Sequence, residues 1–145
     1  MIPADISIED LLPQRDRMLL IDEIIEMDDE KAVTGATVTD QWPFFDANSV
    51  NSLVLIELVA QTAGVTNGWV RINQRGKDSE KSGWLVGIKQ SRFFVKAISL
   101  NQRIITRAEN QYAYENYRHI AGIARIGSEI VGEVALQLIQ TAQAG

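Results

Sequence analysis

SLVLIELVAQTAGVTNGWVRIN, residues 52–73, is the stretch whose reading decides the fold. It lacks proline and is long enough for about six helical turns. Leu53, Val54, Leu55, Ile56, Leu58, Val59 and Ala60 leave its first half without a polar face, so that half is expected to be buried on nearly all sides. Inside the apolar run stand one charge, Glu57, and one amide, Gln61, four residues apart and therefore on one face. Ala60, Gly64 and Gly68 form a smooth strip along the same helix. Two glycines cost a helix roughly 2 kcal/mol of propensity against alanine, which points to an element packed closely on them. An ionised carboxylate in such surroundings needs a partner or a task.

Outward from the helix the chain alternates short apolar runs with turn signals. Ser7 is placed to cap a short helix over residues 8–12, stopped by Pro13. Strand-like runs cover residues 19–27 and 32–39, joined at the acidic turn Asp28-Asp29-Glu30. Residues 41–51 read as irregular. After the helix comes a polar loop over 74–82. Four further strand-like runs follow, 84–98, 103–113, 117–126 and 130–139, with tight breaks at Glu115-Asn116 and Gly127-Ser128-Glu129. One long apolar helix with about six strands predicts an α+β domain over residues 1–145, a curved antiparallel sheet wrapping the helix. An ordinary α+β sandwich without a site fits the same pattern. A sheet of that size leaves edges, and pairing edge to edge with a second copy is the economical way to cover them.

Composition narrows the function classes. The 145 residues are 46% hydrophobic and 23% charged, an ordinary globular mix. The N-terminus has no basic, apolar leader and no apolar run reaches spanning length without a charge, so the cytoplasm is the expected location, with no membrane contact. There are no cysteines, which excludes disulfides, thiolate metal sites and cysteine nucleophiles. The single histidine is His119, so any histidine-based zinc site or Ser-His-Asp triad has to run through it alone. No metal or cofactor is expected. A net charge of −5 argues against general nucleic-acid binding.

Three stretches are similar to the hotdog-fold β-hydroxyacyl carrier-protein dehydratases. They are DLLPQRDRMLLIDEIIE (residues 10–26), FFD…LVLIELVAQTAG (44–64) and VGIKQSRFFVKAI (86–98), in the family's order. The short loop before the helix resembles a divergent branch, the dehydratase-like hotdog proteins found with aryl polyene and other lipid-like synthases. The resemblance implies a hotdog fold and work on 3-hydroxyacyl thioesters of an acyl carrier protein or coenzyme A. It implies that Glu57 handles the departing hydroxyl, that the helix N-terminus at Ser52 and Leu53 holds the thioester oxygen, and that Gln61, Phe44 and Phe45 border the substrate. The family's catalytic loop histidine has no counterpart in Asp46-Ala47-Asn48-Ser49-Val50, and its opening-block histidine is Gln14 here.

Dehydration needs a base at the α-carbon, an acid at the hydroxyl and a donor at the carbonyl oxygen. Asp46 is the candidate replacement base if burial beside Glu57 raises its pKa; otherwise it is a turn residue. Gln61 is expected to be structural, His119 to be a surface or hairpin-edge residue, and Trp42, Phe44 and Phe45 to fill a core or interface or to line an acyl tunnel. Arg92, Lys96 and Lys89, with Arg15 and Arg17, form a candidate docking patch for an acidic carrier, or scattered solvated charges. Three functions compete: a dehydratase, a hotdog acyl thioesterase, and a non-catalytic subunit that completes a heteromer with an active dehydratase. Expected assembly is a homodimer or higher hotdog oligomer, or that heteromer.

Overall fold

The computed structural model describes residue 3 and the ranges 5–79 and 84–140, apart from the side chains of Trp84, Leu85 and Gln140. Ser7 opens α1 (Ile8–Leu11) with a reciprocal cap. Its hydroxyl accepts from the Asp10 N–H at 3.2 Å, and the Asp10 carboxylate accepts from the Ser7 N–H at 2.8 Å. That bond to the Ser7 N–H is the main reason the Asp10 carboxyl lies below its ordinary value. The long helix, α2 (Val54–Arg75), ends at Gly76, whose φ of 93° breaks the repeat. No helix among the described residues is long and apolar enough to cross a membrane.

The strands are β1 (Glu23–Met27), β2 (Lys31–Thr37), β3 (Phe45–Asp46), β4 (Ser49–Asn51), β5 (Trp84–Phe93), β6 (Ala97–Ser99), β7 (Arg103–Tyr114), β8 (Tyr117–Ile126) and β9 (Glu129–Gln140). Six of them form one sheet in the order β1-β2-β7-β8-β9-β5, and β3-β4-β6 form a second, small sheet. All registered pairs are antiparallel. This is the expected α+β hotdog arrangement of one long helix against a curved six-stranded sheet.

The alternation along the strands places the core. Ile104, Thr106 and Ala108 on β7, Ile120, Gly122 and Ala124 on β8, and Val134, Leu136 and Leu138 on β9 are buried on the helix side. A methyl at Gly122 would run into Val59, and one at Gly132 would lie 2.6 Å from the Leu55 side chain, so these glycines let α2 settle onto the sheet. On the opposite side of the helix the glycine strip receives the N-terminal segment. A methyl at Gly64 would lie 2.7 Å from Leu12, and one at Gly68 would strike the Leu11 carbonyl. Gly68→Ala is therefore expected to destabilise. Overpacking costs about 1–3 kcal/mol, and because the clash is with backbone it outweighs the roughly 1 kcal/mol gained in helix propensity. Thermal unfolding reads the net loss of up to about 2 kcal/mol; an unchanged midpoint would mean that α1 yields freely.

Several boundaries differ from those expected. The first strand-like run begins as a strand only at Glu23, because residues 16–18 form a 3₁₀ turn and the Gln61 side chain takes the main-chain groups of Met18 and Leu20. The irregular segment contains the β3–β4 hairpin, turned at Ala47 (φ 49°) and Asn48 (φ 71°), a left-handed pair suited to the twist of a two-residue turn. The expected strand over 84–98 divides into β5 and β6, since the carbonyls of Val95 and Lys96 turn aside to bind Ser52. The expected loop at 74–82 begins at Gly76, and its residues 80–82 lie outside the described residues.

The two edges of the large sheet differ. β1 is short, carries Glu23 and Glu26 and has an irregularity between Ile24 and Glu26, features that blunt an edge. β5 is ten residues long with no proline. Its Val86 and Ile88, opposite Leu138 and Leu136, stand on the concave side yet are 49% and 55% exposed.

Candidate active site

Glu57 sits half-buried in the first turn of α2. Its hydrogen-bond partner among the described residues is Gln61, one turn on, whose Nε2 donates to Glu57 Oε1 at 3.0 Å. Gln61 is completely buried. The same Nε2 donates to the Met18 carbonyl at 2.6 Å, and Gln61 Oε1 accepts from the Leu20 N–H at 2.9 Å. One amide thus clamps the 18–20 segment to the helix and steadies the carboxylate, which is why an amide is tolerated in an apolar helix.

The other residues proposed for the substrate gather around the helix N-terminus. Ser52 is 2% exposed; its hydroxyl donates to the Val95 carbonyl and its N–H to the Lys96 carbonyl. It fastens the start of the helix to the β5–β6 connection. Leu53 is half-exposed, and its N–H donates to Asn51 Oδ1 at 2.9 Å. The N–H groups of Leu55 and Ile56 serve the carbonyls of Ser52 and Leu53. Phe44 accepts from the Asn51 N–H through its carbonyl, while its ring is 58% exposed and its φ is 64°, an uncommon conformation for an aromatic residue. Phe45 packs against the core and Trp42 lies within it.

Asp46 is exposed at the β3–β4 hairpin, and its carbonyl accepts from the Ser49 hydroxyl. The chain itself does not bury it beside Glu57. His119 lies on β8 between two inward positions of Arg118 and Ile120, so its ring faces the side of the sheet away from α2. Glu57 and the single histidine are therefore on opposite sides of the sheet. Lys89, Arg92 and Lys96 are exposed along and just beyond β5, with Arg92 registered opposite Glu133. Arg15 is otherwise engaged: its guanidinium donates to the carbonyls of Leu12, Gln14 and Glu9 and pairs with the Glu9 carboxylate at 3.7 Å. Among the described residues no group of three or more His, Asp or Glu side chains could hold a metal ion.

A cavity of about 1050 Å³ lies farther along the helix. Ala60, Gly64, Asn67 and Arg71 border it on α2, with Gln14 and Arg118 from other walls. Together with Glu57 these helix positions repeat at spacings of three and four, one continuous stripe. That spacing was present in the sequence.

Comparison with known proteins agrees with the fold. A family model described as ApeP-like, ApeP dehydratase, matches residues 6–144. The 3-hydroxyacyl-(acyl-carrier-protein) dehydratase FabZ of Chlamydia muridarum (strain MoPn / Nigg) is 30% identical over 140 residues, covering 92% of this chain and 89% of its own. The solved dehydratase heterocomplex ApeI:P from Xenorhabdus doucetiae superposes with a TM-score of 0.82 at 19% identity, over 95% of this chain and 93% of that one. A hypothetical thioesterase from Streptococcus pneumoniae TIGR4, solved with coenzyme A, shares the fold at a TM-score of 0.59 and 16% identity, over 85% of this chain and 88% of that one.

Proposed function

The chain belongs to the ApeP-like family of dehydratases, and from that premise we propose that it is the carboxylate-bearing subunit of a 3-hydroxyacyl thioester dehydratase whose histidine comes from another chain. The observation that carries this reading is Glu57, held by Gln61 on the helix while the chain's own histidine faces the other way. The β5 edge, unpaired among the described residues and with an exposed concave side, is the surface a second hotdog chain would extend. One structural neighbour being a dehydratase heterocomplex supports the same arrangement.

In this reading the partner's histidine removes the α-proton, the carbonyl oxygen rests at the helix N-terminus near Leu53, and Glu57 in its acid form protonates the departing hydroxyl. The products are the enoyl thioester and water. Asp46 ranks behind the imidazole as the base, because the chain leaves it exposed on the β3–β4 hairpin. The test is to assay the chain alone, a histidine-bearing hotdog dehydratase of the same cell alone, and the two mixed. Dehydration that rises on mixing and depends on Glu57 supports the proposal. Full activity in the homodimer would exclude the need for a partner, and release of free acid and thiol would identify a thioesterase instead.

The substrate is proposed to arrive on an acidic acyl carrier protein that docks on Arg92, Lys96 and Lys89. Reversing both Arg92 and Lys96 to Glu is expected to weaken carrier binding about tenfold at low salt, with less effect as salt rises. Calorimetric titration measures it, and unchanged affinity would remove these residues from the docking surface.

A further inference from the structure

Between α2 and the β2–β7 pair the core holds four threonines, Thr34, Thr62, Thr66 and Thr106, none more than 1% exposed. Thr34 and Thr106 stand opposite each other on β2 and β7. Thr34 Oγ1 lies 2.8 Å from Thr62 Oγ1, and Thr62 Oγ1 donates to the Leu58 carbonyl at 2.7 Å. A hydroxyl has one hydrogen, so Thr62 receives the hydrogen of Thr34, and Thr34 keeps only acceptor capacity. Thr66, one helical turn beyond Thr62, and Thr106 have hydroxyl oxygens that are buried with no hydrogen-bond partner among the described residues. The bonds from Thr62 to β2 and from Asn110 of β7 to Asn67, the latter at 3.5 Å, bracket Thr66 and hold it over the same seam. The rows on either side of the threonine pair are Ala32 opposite Ala108 and Ala36 opposite Ile104, which offer no polar side chain.

We propose that Thr66 and Thr106 form a binding site for one structural water, which accepts from both hydroxyls and donates to Thr34 Oγ1. The site pins α2 to the β2–β7 pair and is independent of the acyl-thioester reading. A buried water makes about three hydrogen bonds to polar groups that otherwise go unmet, and three is the number these hydroxyls supply. Two hydroxyls left unmet in the core would each keep a full desolvation penalty, which one shared water removes. Neutral hydroxyls offset neither the charge nor the dehydration of an ion, so water is the ligand that this donor set suits.

The test is a thermal-unfolding cycle of the full chain with Thr66→Val, Thr106→Val and the double variant, all at one protein concentration. Valine keeps the branched shape and removes the hydroxyl. Each single variant is expected to lower the midpoint by about 3 °C, the effect of one lost hydrogen bond in a chain of this length. The double variant is expected to fall no further than either single one. With both partners gone the water leaves, and the hydroxyls it served are replaced by methyl groups. Such coupling is the mark of a shared partner. Unchanged or raised midpoints in either single variant overturn the site, because removing an unmet hydroxyl costs nothing. Losses that add in the double variant also overturn it, because each hydroxyl then has a partner of its own, such as the Thr62 carbonyl for Thr66. Oxygen-17 relaxation dispersion of water on the unaltered chain decides the matter even if a variant does not fold. A long-lived internal water is expected, and its absence overturns the proposal.

Discussion

Glu57→Gln is expected to lower the dehydration rate of the assembled enzyme by about 10²- to 10⁴-fold, the usual contribution of one general acid. The substitution keeps size and shape, and the amide can still bond to Gln61, so the packing of α2 is preserved. The loss should fall on kcat, with KM little changed, because the carboxyl acts on the leaving hydroxyl as the bond breaks rather than on the resting substrate. Single-turnover conversion of a 3-hydroxyacyl thioester to the enoyl form is the measurement. Equal rates in the two proteins would remove Glu57 from the chemistry and leave it as the polar partner of Gln61.

Gln61→Leu is expected to cost about 2–4 kcal/mol of stability. Leucine fills a similar volume, but it removes both the acceptor for the Leu20 N–H and the donor to the Met18 carbonyl. Leu20 is 3% exposed, so water cannot readily replace the acceptor. Each unsatisfied group costs roughly 1–3 kcal/mol, and the bond to Glu57 is lost as well. For a chain of this length the thermal midpoint should fall by roughly 5–15 °C. The Glu57 carboxylate also loses its tether, so catalysis by the assembled enzyme should decline at temperatures where the variant is still folded. A change below about 0.5 kcal/mol, the scale of an ordinary surface substitution, would show that the 18–20 segment is held by other contacts.

The parts of this fold that were legible are those written locally. The helix follows from a proline-free apolar run that ends beside Gly76, and the β8–β9 turn from Gly127 with its φ of 60°. The glycine strip correctly announced a close neighbour, which proves to be the backbone of Leu11. Less legible were elements that owe their ends to distant partners. Residues 19–22 have strand composition, yet their pairing is redirected by a glutamine side chain 41 positions away from Leu20. Residues 94–96 interrupt an otherwise continuous strand pattern because Ser52, 43 positions from Val95, claims its carbonyl.

The site divides in the same way. Residue type and spacing alone marked Glu57 and Gln61 as a pair on one helix face, and the sequence by itself excluded cysteine chemistry and left one histidine. Only the tertiary structure decided that this histidine faces away from the helix, that Asp46 stays exposed, and that Asn67 of the helix meets Asn110 of β7. The physical reason is range. Helical and strand periods bind a residue to neighbours a few positions off, whereas the sides of a curved sheet and the walls of a cavity are set by where strands far apart in the chain come to lie.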